Sequence, residues 1–502
     1  MISAESWIIV PVVAPLSGAL LSFLIRRGSV IISMTAAALN GLAAIILVKQ
    51  FLQAGPAVYA IGGWNPPLGI TLHTDGPSLI MLAMTAVAAI AICLYAWGYF
   101  SLRIDEPVRI GRAERQESFF WPLWMLQLTA LNGLFLSGDI FNLYVTLELL
   151  GISAAALAAL SGKTSALIAS LRYLLVSLLG SLSYLLGVVF IYKTYGVLDL
   201  VLLQKMAGME PGVIAALAFM SVGLLLKTAL FPMHFWLPPA HANALAPVSS
   251  ILSGLVVKAS FFLLFRLWFD IFSPVLPASA FSLMGFLGAG AVLWGAIQSL
   301  RQKRLKLLIA YSTVSQLGYL FIAFPLAFAG GTSQAWSTVL FMAAGHACAK
   351  IAMFMAAGNI LLHIGHDRIK DLAGIRAHLP ITSFAYAAAG VNLIGLPPSA
   401  GFVAKWMMLI TALSTHQWLW ALVLLAGSLL AAAYVFKVTS QLFVIPPDTT
   451  LIMRHRSAPL LEWPALILAL ISLLMGLMAP YPLRLLEIGV TPEVVMLLGG
   501  GP

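Results

Sequence analysis

Charged residues are scarce in this chain of 502 residues. Asp, Glu, Lys and Arg together make up 9% of it, whereas hydrophobic residues make up 61%. The mean hydropathy is +1.00. Soluble globular domains carry about 25% charged residues, so this composition excludes the soluble classes and indicates a polytopic membrane protein.

Cysteine is nearly absent as well. The two cysteines, Cys93 and Cys348, lie far apart in apolar segments, which excludes a disulfide framework and a thiolate metal site. Motifs for phosphate loops, dinucleotides, zinc or flavin are missing, and so are paired histidines of the kind that hold haem. We therefore expect that this chain holds no cofactor and no metal, and that nucleic acid is not a partner.

Long hydrophobic runs, in contrast, are abundant. Runs near twenty residues mark about fourteen membrane spans. Their positions are 7–25, 29–48, 77–99, 118–137, 140–161, 173–192, 211–229, 246–265, 279–299, 307–328, 335–362, 381–413, 417–436 and 461–480. The sequence thus predicts an all-α polytopic fold. Asp139 directly precedes the fifth run and is expected to cap that helix.

The basic residues are distributed unequally between the loops. Of the 27 Lys and Arg residues, 18 lie in loops after odd-numbered spans. Four lie in loops after even-numbered spans: Lys49, Lys193, Lys205 and Arg266. Because Lys and Arg accumulate in cytoplasmic loops, this bias predicts a cell-membrane protein with segment 101–117 in the cytoplasm and both termini outside. The basic run Arg301–Lys306 is then expected to face anionic lipid.

Four lysines interrupt segments that are otherwise apolar enough to cross a bilayer: Lys227, Lys258, Lys350 and Lys405. Glu148, in FNLYVTLELLGISAAAL, is buried in the same manner. An ammonium in a membrane helix costs at least about 2.5 kcal/mol, so such residues are retained for a function. A line of titratable groups through an apolar medium is what a proton or cation path requires, and we predict that these residues form one.

Glu148 and Lys227 admit two interpretations. Desolvation favours the neutral form of a lysine, whereas a nearby carboxylate favours the charged form. A changing distance between the two groups would therefore let the pair switch proton release. Alternatively, the pair is static and holds helices together, although a buried ion pair is weak evidence for stability.

Histidines accompany the lysines. His346 lies four residues before Lys350 and shares its helix face, so the pair is a candidate relay between two half-channels. The alternative for His346 is a hydrogen-bonded contact between helices. His234 and His241 flank a Trp and a proline pair. Two roles fit these histidines: a site of proton exit, or a structural role facing a loop. His363 and His366 lie beside Asp367 and are expected to form a solvated cytoplasmic face.

Two proline pairs interrupt membrane-depth sequence. Pro238 and Pro239 follow Lys227, and Pro397 and Pro398 precede Lys405. Proline removes a backbone donor, and such breaks persist where the freed groups face protein or a water-filled cavity. Two broken helices in corresponding positions indicate an inverted-repeat transporter. The alternative is that both pairs form ordinary turns at the membrane face.

Six segments carry a family resemblance. They are GGWNPPLGITLHTDGPS at 62–78, SGDIFNLYVTLELL at 137–150, LKTALFPMHFWLPPAHANALAPVSSILSGLVVKA at 226–259, KRLKLLIAYSTVSQLGYL at 303–320, HACAKIAMFMAAGNI at 346–360 and GLPPSAGFVAKW at 395–406. With these six segments in this order along the sequence, the chain resembles a known family. The family comprises the antiporter-like membrane subunits shared by Mrp cation/proton antiporters, respiratory complex I and membrane-bound hydrogenases. The first two segments look most like the D-type subunit of the Mrp antiporters.

The resemblance implies roles for the buried charges. Glu148 would be the carboxylate of the fifth helix, Lys227 the lysine of the broken seventh helix and Lys258 the connecting lysine of the eighth. Lys405 would be the charged residue of the broken twelfth helix. Pro239 stands where complex I relatives often carry an acidic residue.

The resemblance also implies an organisation. Helices 1–3 would occupy residues 1–117, two inverted five-helix repeats would occupy 118–268 and 279–444, and a last helix with a short tail would occupy 461–502. Two functions fit. The chain would be the translocating subunit of a multisubunit Na⁺/H⁺ antiporter, or a proton-pumping subunit of a redox enzyme whose electron transfer belongs to partners. In both cases its partners would be homologous and small membrane subunits.

Overall fold

Long apolar runs fold into helices because a backbone in lipid must satisfy its own hydrogen bonds. The computed structural model describes residues 4–104, 110–444 and 458–488. The helices are α1 (Val10–Leu24), α2 (Ser29–Ala54), α3 (Gly76–Ile104), α4 (Ile110–Leu136), α5 (Ile140–Ala159), α6 (Thr164–Tyr195), α7 (Leu200–Met206), α8 (Pro211–Thr228), α9 (Leu237–Asn243), α10 (Ala246–Ile251), α11 (Val257–Arg266), α12 (Ala278–Arg301), α13 (Leu305–Gly330), α14 (Thr332–Ile364), α15 (Ile375–His378), α16 (Pro380–Ile394), α17 (Ala400–Ser414), α18 (Trp418–Phe443), α19 (Pro459–Leu477) and α20 (Pro480–Glu487). Between α2 and α3, strands β1 (Ala57–Ala60) and β2 (Thr71–Thr74) pair antiparallel.

Twelve stretches of helix in the described residues are long and apolar enough to cross a membrane, and α1, α16 and α17 are shorter apolar helices. This confirms the all-α polytopic fold. The count of fourteen spans and the inverted repeats stay predictions. The topology expected for 101–117 falls partly on residues 105–109, which lie outside the described ranges.

The helices divide into an inner and an outer set. The span from α10 through α11, and α14, are buried along their whole apolar length. The helices α2, α6, α12, α18 and α19 bury only about half of theirs and expose large apolar side chains such as Leu429, at 74%. A helix that is apolar all round and only partly covered by protein faces lipid, so the inner set is the place for a polar path.

The first break in a membrane helix follows α8. Ala229 adopts a left-handed conformation at φ 57° and ψ 41°, and Pro232, which has no N–H, stops the helix from continuing. Trp236 Nε1 donates to the carbonyl of Leu226 at 3.0 Å. The side chain thus satisfies one of the carbonyls that the break releases.

Pro238 and Pro239 do not form this break. They occupy the first turn of α9, where a missing N–H costs nothing because no intrahelical acceptor exists for it. The alternative of a surface turn does not hold for Pro238, which is buried; Pro239 is partly buried. The break lies earlier in the chain, between Ala229 and Trp236.

The second break separates α16 from α17 and contains Pro397 and Pro398, as predicted. Gly395 ends α16 at a φ of 85°, a conformation that favours glycine. Ser399 then caps α17, because its Oγ accepts a hydrogen bond from the Phe402 N–H at 3.1 Å. Leu396, Pro397 and Pro398, which connect the two helices, are exposed in this chain, so the alternative of a turn at the membrane face also fits this pair.

Glycines let α6 and α8 approach closely. A Cβ on Gly223 would lie 2.3 Å from the carbonyl oxygen of Gly180, so a larger residue there would force the helices apart. Lys227 follows Gly223 by one turn, and Ser177 precedes Gly180 by about one turn. The close approach therefore brings the lysine and the serine together.

Candidate functional site

Lys227 lies buried near the end of α8. Its ammonium donates to the Leu147 carbonyl at 3.0 Å and to Ser177 Oγ at 2.9 Å. Leu147 directly precedes Glu148 on α5, so the lysine reaches the helix that carries the carboxylate. The described residues contain no ion pair within 4 Å between Glu148 and Lys227.

The Glu148 side chain is half-buried, and its Oε1 is a buried atom without a hydrogen-bond partner in the described chain. An unpaired buried oxygen costs about 1–3 kcal/mol, more when charged. Such a group is poised to gain a partner if it moves. Glu148 and Lys227 therefore do not form an ion pair in this structure, and the switch stays a prediction.

Lys258 is fully buried on α11. Its ammonium donates to the Ser253 carbonyl, which lies in the π-helical turn Leu252–Val256 between α10 and α11. A π turn replaces the regular hydrogen-bond ladder and is frequent at functional sites. The loosened turn gives the lysine its acceptor.

His346 and Lys350 are both buried on α14. Lys350 reaches α13, where its ammonium donates to Ser312 Oγ at 2.5 Å and to the Ile309 carbonyl at 3.1 Å. Neither ring nitrogen of His346 has a hydrogen-bond partner among the described residues. The alternative of a hydrogen-bonded contact between helices is therefore not seen for His346, whereas the relay stays a prediction.

Lys405 is buried on α17, directly beyond the second break. Its ammonium donates to the carbonyls of Leu393 and Ile394 at 2.8 and 3.1 Å, at the C-terminal end of α16. It also lies 4.2 Å from the centroid of the Tyr319 ring. The negative end of the helix dipole and the ring face both stabilise a cation, so the broken helix itself supplies a cation position.

His241 is fully buried in α9, stacks on Phe354 with ring centroids 4.8 Å apart, and has no hydrogen-bond partner at either ring nitrogen within the described ranges. The loop-facing alternative is therefore wrong for His241, because the half-helix after the break packs into the inner set. His234 is also largely buried and stacks on Phe231 at 5.6 Å.

Lys306 is buried, although the basic run that contains it predicted a position facing lipid. It is 1% exposed, and its ammonium donates to the Ala244 carbonyl at the end of α9 at 2.6 Å. The expectation that it anchors the protein to lipid is wrong, because the first turn of α13 packs under α9. Its position between Leu305 and Leu307 was the available signal.

Two more polar groups are buried at the ends of spans. His363 is fully buried at the end of α14, so its predicted place on a solvated face is wrong. Glu462, on α19, is 2% exposed and accepts hydrogen bonds from Thr382 N and Oγ1 at 2.8 and 2.9 Å. A lone carboxylate in PLLEWPALIL was the signal for it.

Arg266 does not lie in the predicted loop after the span 246–265. It ends α11 and is 6% exposed. Its guanidinium lies 2.5 Å from an Asp75 oxygen and 3.8 Å from an Asp270 oxygen. Asp75 also accepts the Ser78 N–H at 2.8 Å. This cluster pairs its charges with one another, unlike the lysines.

The four span lysines therefore share one chemistry. Each ammonium is held by backbone carbonyls, in two cases with a hydroxyl, and none of the four has a carboxylate within 4 Å in the described chain. Buried charges without counterions are expensive, so neutral and charged forms are closer in free energy than in water. Groups balanced in this way can take up and release protons. No cluster of three His, Cys, Asp or Glu side chains suited to a metal occurs in the described residues.

Residues 137–431 match the model of the family described as NADH:quinone oxidoreductase/Mrp antiporter, TM. The chain belongs to this family. The matched range contains Glu148, both breaks and the four span lysines, so the family assignment rests on the part of the molecule that carries the candidate path.

Relatives of the family come from both kinds of complex. The N subunit of the NADH-quinone oxidoreductase of Desulforudis audaxviator is 32% identical over 444 residues, covering 87% of this chain and 85% of that protein. The D-type subunit of the Na⁺/H⁺ antiporter of Bacillus subtilis is 27% identical over 502 residues, covering 97% and 98%. A chain in the structure of the Mrp complex from Dietzia sp. DQ12-45-1b has a TM-score of 0.86 at 24% identity, covering 97% and 96%; this likeness shows the shared fold.

Proposed function

We propose that this chain is the translocating membrane subunit of a multisubunit antiporter that exchanges a monovalent cation, Na⁺, for protons. The observation that carries the proposal is a set of buried lysines on α8, α11, α14 and α17 that have no carboxylate within 4 Å among the described residues. They occupy both broken helices and the inner helices between them. Such groups change protonation at small cost, which a path through an apolar medium requires.

In this proposal Lys227 and Glu148 control entry to the path. When Glu148 moves toward the ammonium, the charged lysine is stabilised and keeps its proton; when it moves away, the lysine releases the proton. Lys258, His346 and Lys350 pass the charge through the inner helices. Lys405, at the second break, is the other terminal group.

The similarities support this function and its setting. The antiporter relative aligns along nearly its whole length. We propose, accordingly, homologous and small membrane subunits as partners, a place in the cell membrane with both termini outside, and the two five-helix repeats at 118–268 and 279–444. The second candidate function is a proton-pumping subunit of a redox-driven complex, favoured by the 32% identity to the N subunit of an NADH-quinone oxidoreductase.

Transport is expected from the assembly and not from the chain alone. In everted vesicles of an antiporter-deficient host that expresses this chain with its neighbouring membrane subunits, added Na⁺ should collapse an imposed proton gradient. Vesicles with this chain alone should give the background signal, because docking between homologous subunits completes the path.

The same vesicles separate the two candidate functions. If proton movement in the full assembly requires an electron donor and does not depend on Na⁺, the redox-driven complex is favoured. Full exchange by the single chain would contradict the requirement for partners. Subunits encoded by the neighbouring genes give an independent answer, since iron–sulfur or quinone-site subunits would accompany the second function.

The proposed topology can be tested at the two ends of one helix. Lys163 and Lys193 are exposed and lie at opposite ends of α6. We expect a cysteine at Lys193 to react with an impermeant maleimide added to intact cells, and a cysteine at Lys163 to react only after the membrane is opened. The native Cys93 and Cys348 are buried and supply little background. The reverse labelling pattern would contradict the topology.

A further inference from the structure

A cationic cavity of about 590 Å³, whose lining includes none of the four span lysines, lies at the ends of α12, α14 and α18 and the start of α13. Five of its lining residues are basic: Lys303, Arg304, Arg368, Lys370 and Lys437. None of the lining residues that the structure describes is acidic. A concave site with this charge attracts an anion.

The backbone holds two of these charges against each other. The Leu305 N–H donates to the Asp367 carbonyl at 2.7 Å, and the Ile369 N–H donates to the Lys303 carbonyl at 3.0 Å. This short antiparallel bridge places Arg304 opposite Arg368. Like charges directly opposite each other repel, so an anion in the cavity would stabilise the bridge.

Two of the five charges have partners within the protein. Arg304 Nε donates to Asp367 Oδ1 at 3.0 Å. Lys437 donates at 2.7 Å to each of two carbonyls, those of Leu300 and Gln302, where α12 ends.

The other three basic side chains of the cavity are Lys303, Arg368 and Lys370. They make no side-chain hydrogen bond or ion pair with any described residue, and all three are exposed. Arg carries a planar fork that matches phosphate oxygens, and Lys binds phosphate as a point charge. The unpaired set therefore fits a phosphate group.

The surroundings favour a lipid as the source of that phosphate. On α12, Ile297 is 44% exposed and lies one turn before the cavity end. On α18, Phe436 is 70% exposed and directly precedes Lys437. Apolar surface beside a basic cluster is the arrangement that an acyl chain and an anionic headgroup occupy together. We propose that this cavity binds the headgroup of an anionic phospholipid, with its acyl chains along the lipid-facing sides of α12 and α18.

The test uses the purified assembly that contains this chain, equilibrated with detergent micelles that hold phosphatidylglycerol and phosphatidylcholine, with bound lipid measured by mass spectrometry. The cavity variant is Lys303→Gln/Arg368→Gln/Lys370→Gln. Its matched control is Arg27→Gln/Lys163→Gln/Arg172→Gln, which removes three exposed basic charges that do not line the cavity. Each basic residue near an anionic surface contributes about a fivefold effect, so the cavity variant should bind phosphatidylglycerol at least about tenfold more weakly, and the control should bind it as the natural chain does.

A variant that keeps the charges, Lys303→Arg/Arg368→Lys/Lys370→Arg, should retain binding and separates loss of the site from loss of folding. Inorganic phosphate and glycerol phosphate serve as soluble competitors and should displace the phospholipid only weakly. Equal loss in the cavity variant and the control, or no loss in either, would overturn the proposal. Efficient displacement by inorganic phosphate would instead assign the cavity to a soluble anion. If the cavity variant binds lipid as the natural chain does but loses partner subunits from the purified assembly, the cavity is a protein-docking site.

Discussion

Replacing Lys227 or Glu148 with alanine is expected to reduce cation-dependent proton flux to background while most of the protein still folds and assembles. The reason is that each residue acts in the proposed path by changing its protonation or its distance from the other. Lys227 is held by a carbonyl and by Ser177 Oγ, without a carboxylate within 4 Å in the described chain, so its loss strands no directly paired charge. Proton flux and membrane abundance are measured together on the same vesicles.

Lys193→Ala is a suitable control for the loss of one lysine, because Lys193 is exposed at the end of α6. It should keep both flux and abundance. A large fall in the amount of folded Lys227→Ala protein, with normal flux per folded molecule, would contradict the functional role and would favour a structural one.

Arg266→Met is expected to show the opposite behaviour, a strong fall in folded protein with near-normal flux per molecule that remains. Arg266 is buried and lies between the Asp75 and Asp270 carboxylates. Removing it leaves both acids without their cation, which costs about 3–5 kcal/mol for a buried pair. Because each aspartate side chain keeps 36% of its surface exposed, the lower end of that range applies. Abundance and thermal stability in detergent are the measurements.

Two companion variants test the cause. Asp75→Asn combined with Arg266→Met should recover part of the lost abundance, since it removes one of the stranded charges. Arg301→Met, which changes an exposed arginine on α12, should leave abundance unchanged. If Arg266→Met accumulates to the natural level, or if the second substitution lowers abundance further, the cluster does not stabilise the fold by charge pairing.

Much of the candidate path can be predicted from the sequence because a charge inside an apolar run is visible without any structure. Lys227, Lys258, Lys350 and Lys405 all proved to be buried. The cap at Asp139 is likewise a local feature, and its carboxylate accepts the Asn142 N–H at 2.7 Å as predicted.

What binds each lysine could not be predicted, because those partners come from distant segments. Ser177 reaches Lys227 only because two glycines let α6 and α8 touch, and Lys350 depends on a serine of α13. The errors have a similar origin. Lys306 and His363 lie at the ends of helices beside charged loops. Lys306 is buried because α9 packs over the start of α13, and His363 is buried because α14 continues past it.

The position of the first helix break could not be predicted from the sequence either. A proline pair is the strongest local signal in FPMHFWLPPAH, yet both prolines belong to the first turn of α9. The helix ends earlier, at Thr228, and the next residue, Ala229, adopts a left-handed conformation that is uncommon for residues other than glycine. The second break contained glycine beside its prolines, and there the predicted and observed positions agree.

The most direct test of the proposed path is proton flux per folded molecule in the double variant Glu148→Ala/Lys227→Ala. A static ion pair that only holds helices together is relieved when both charges are removed, because neither partner is left stranded. Groups that carry protons are simply missing from the double variant. We predict that membrane abundance in the double variant equals or exceeds that of the single variants while cation-dependent flux stays at background; flux restored to the natural level would contradict the account.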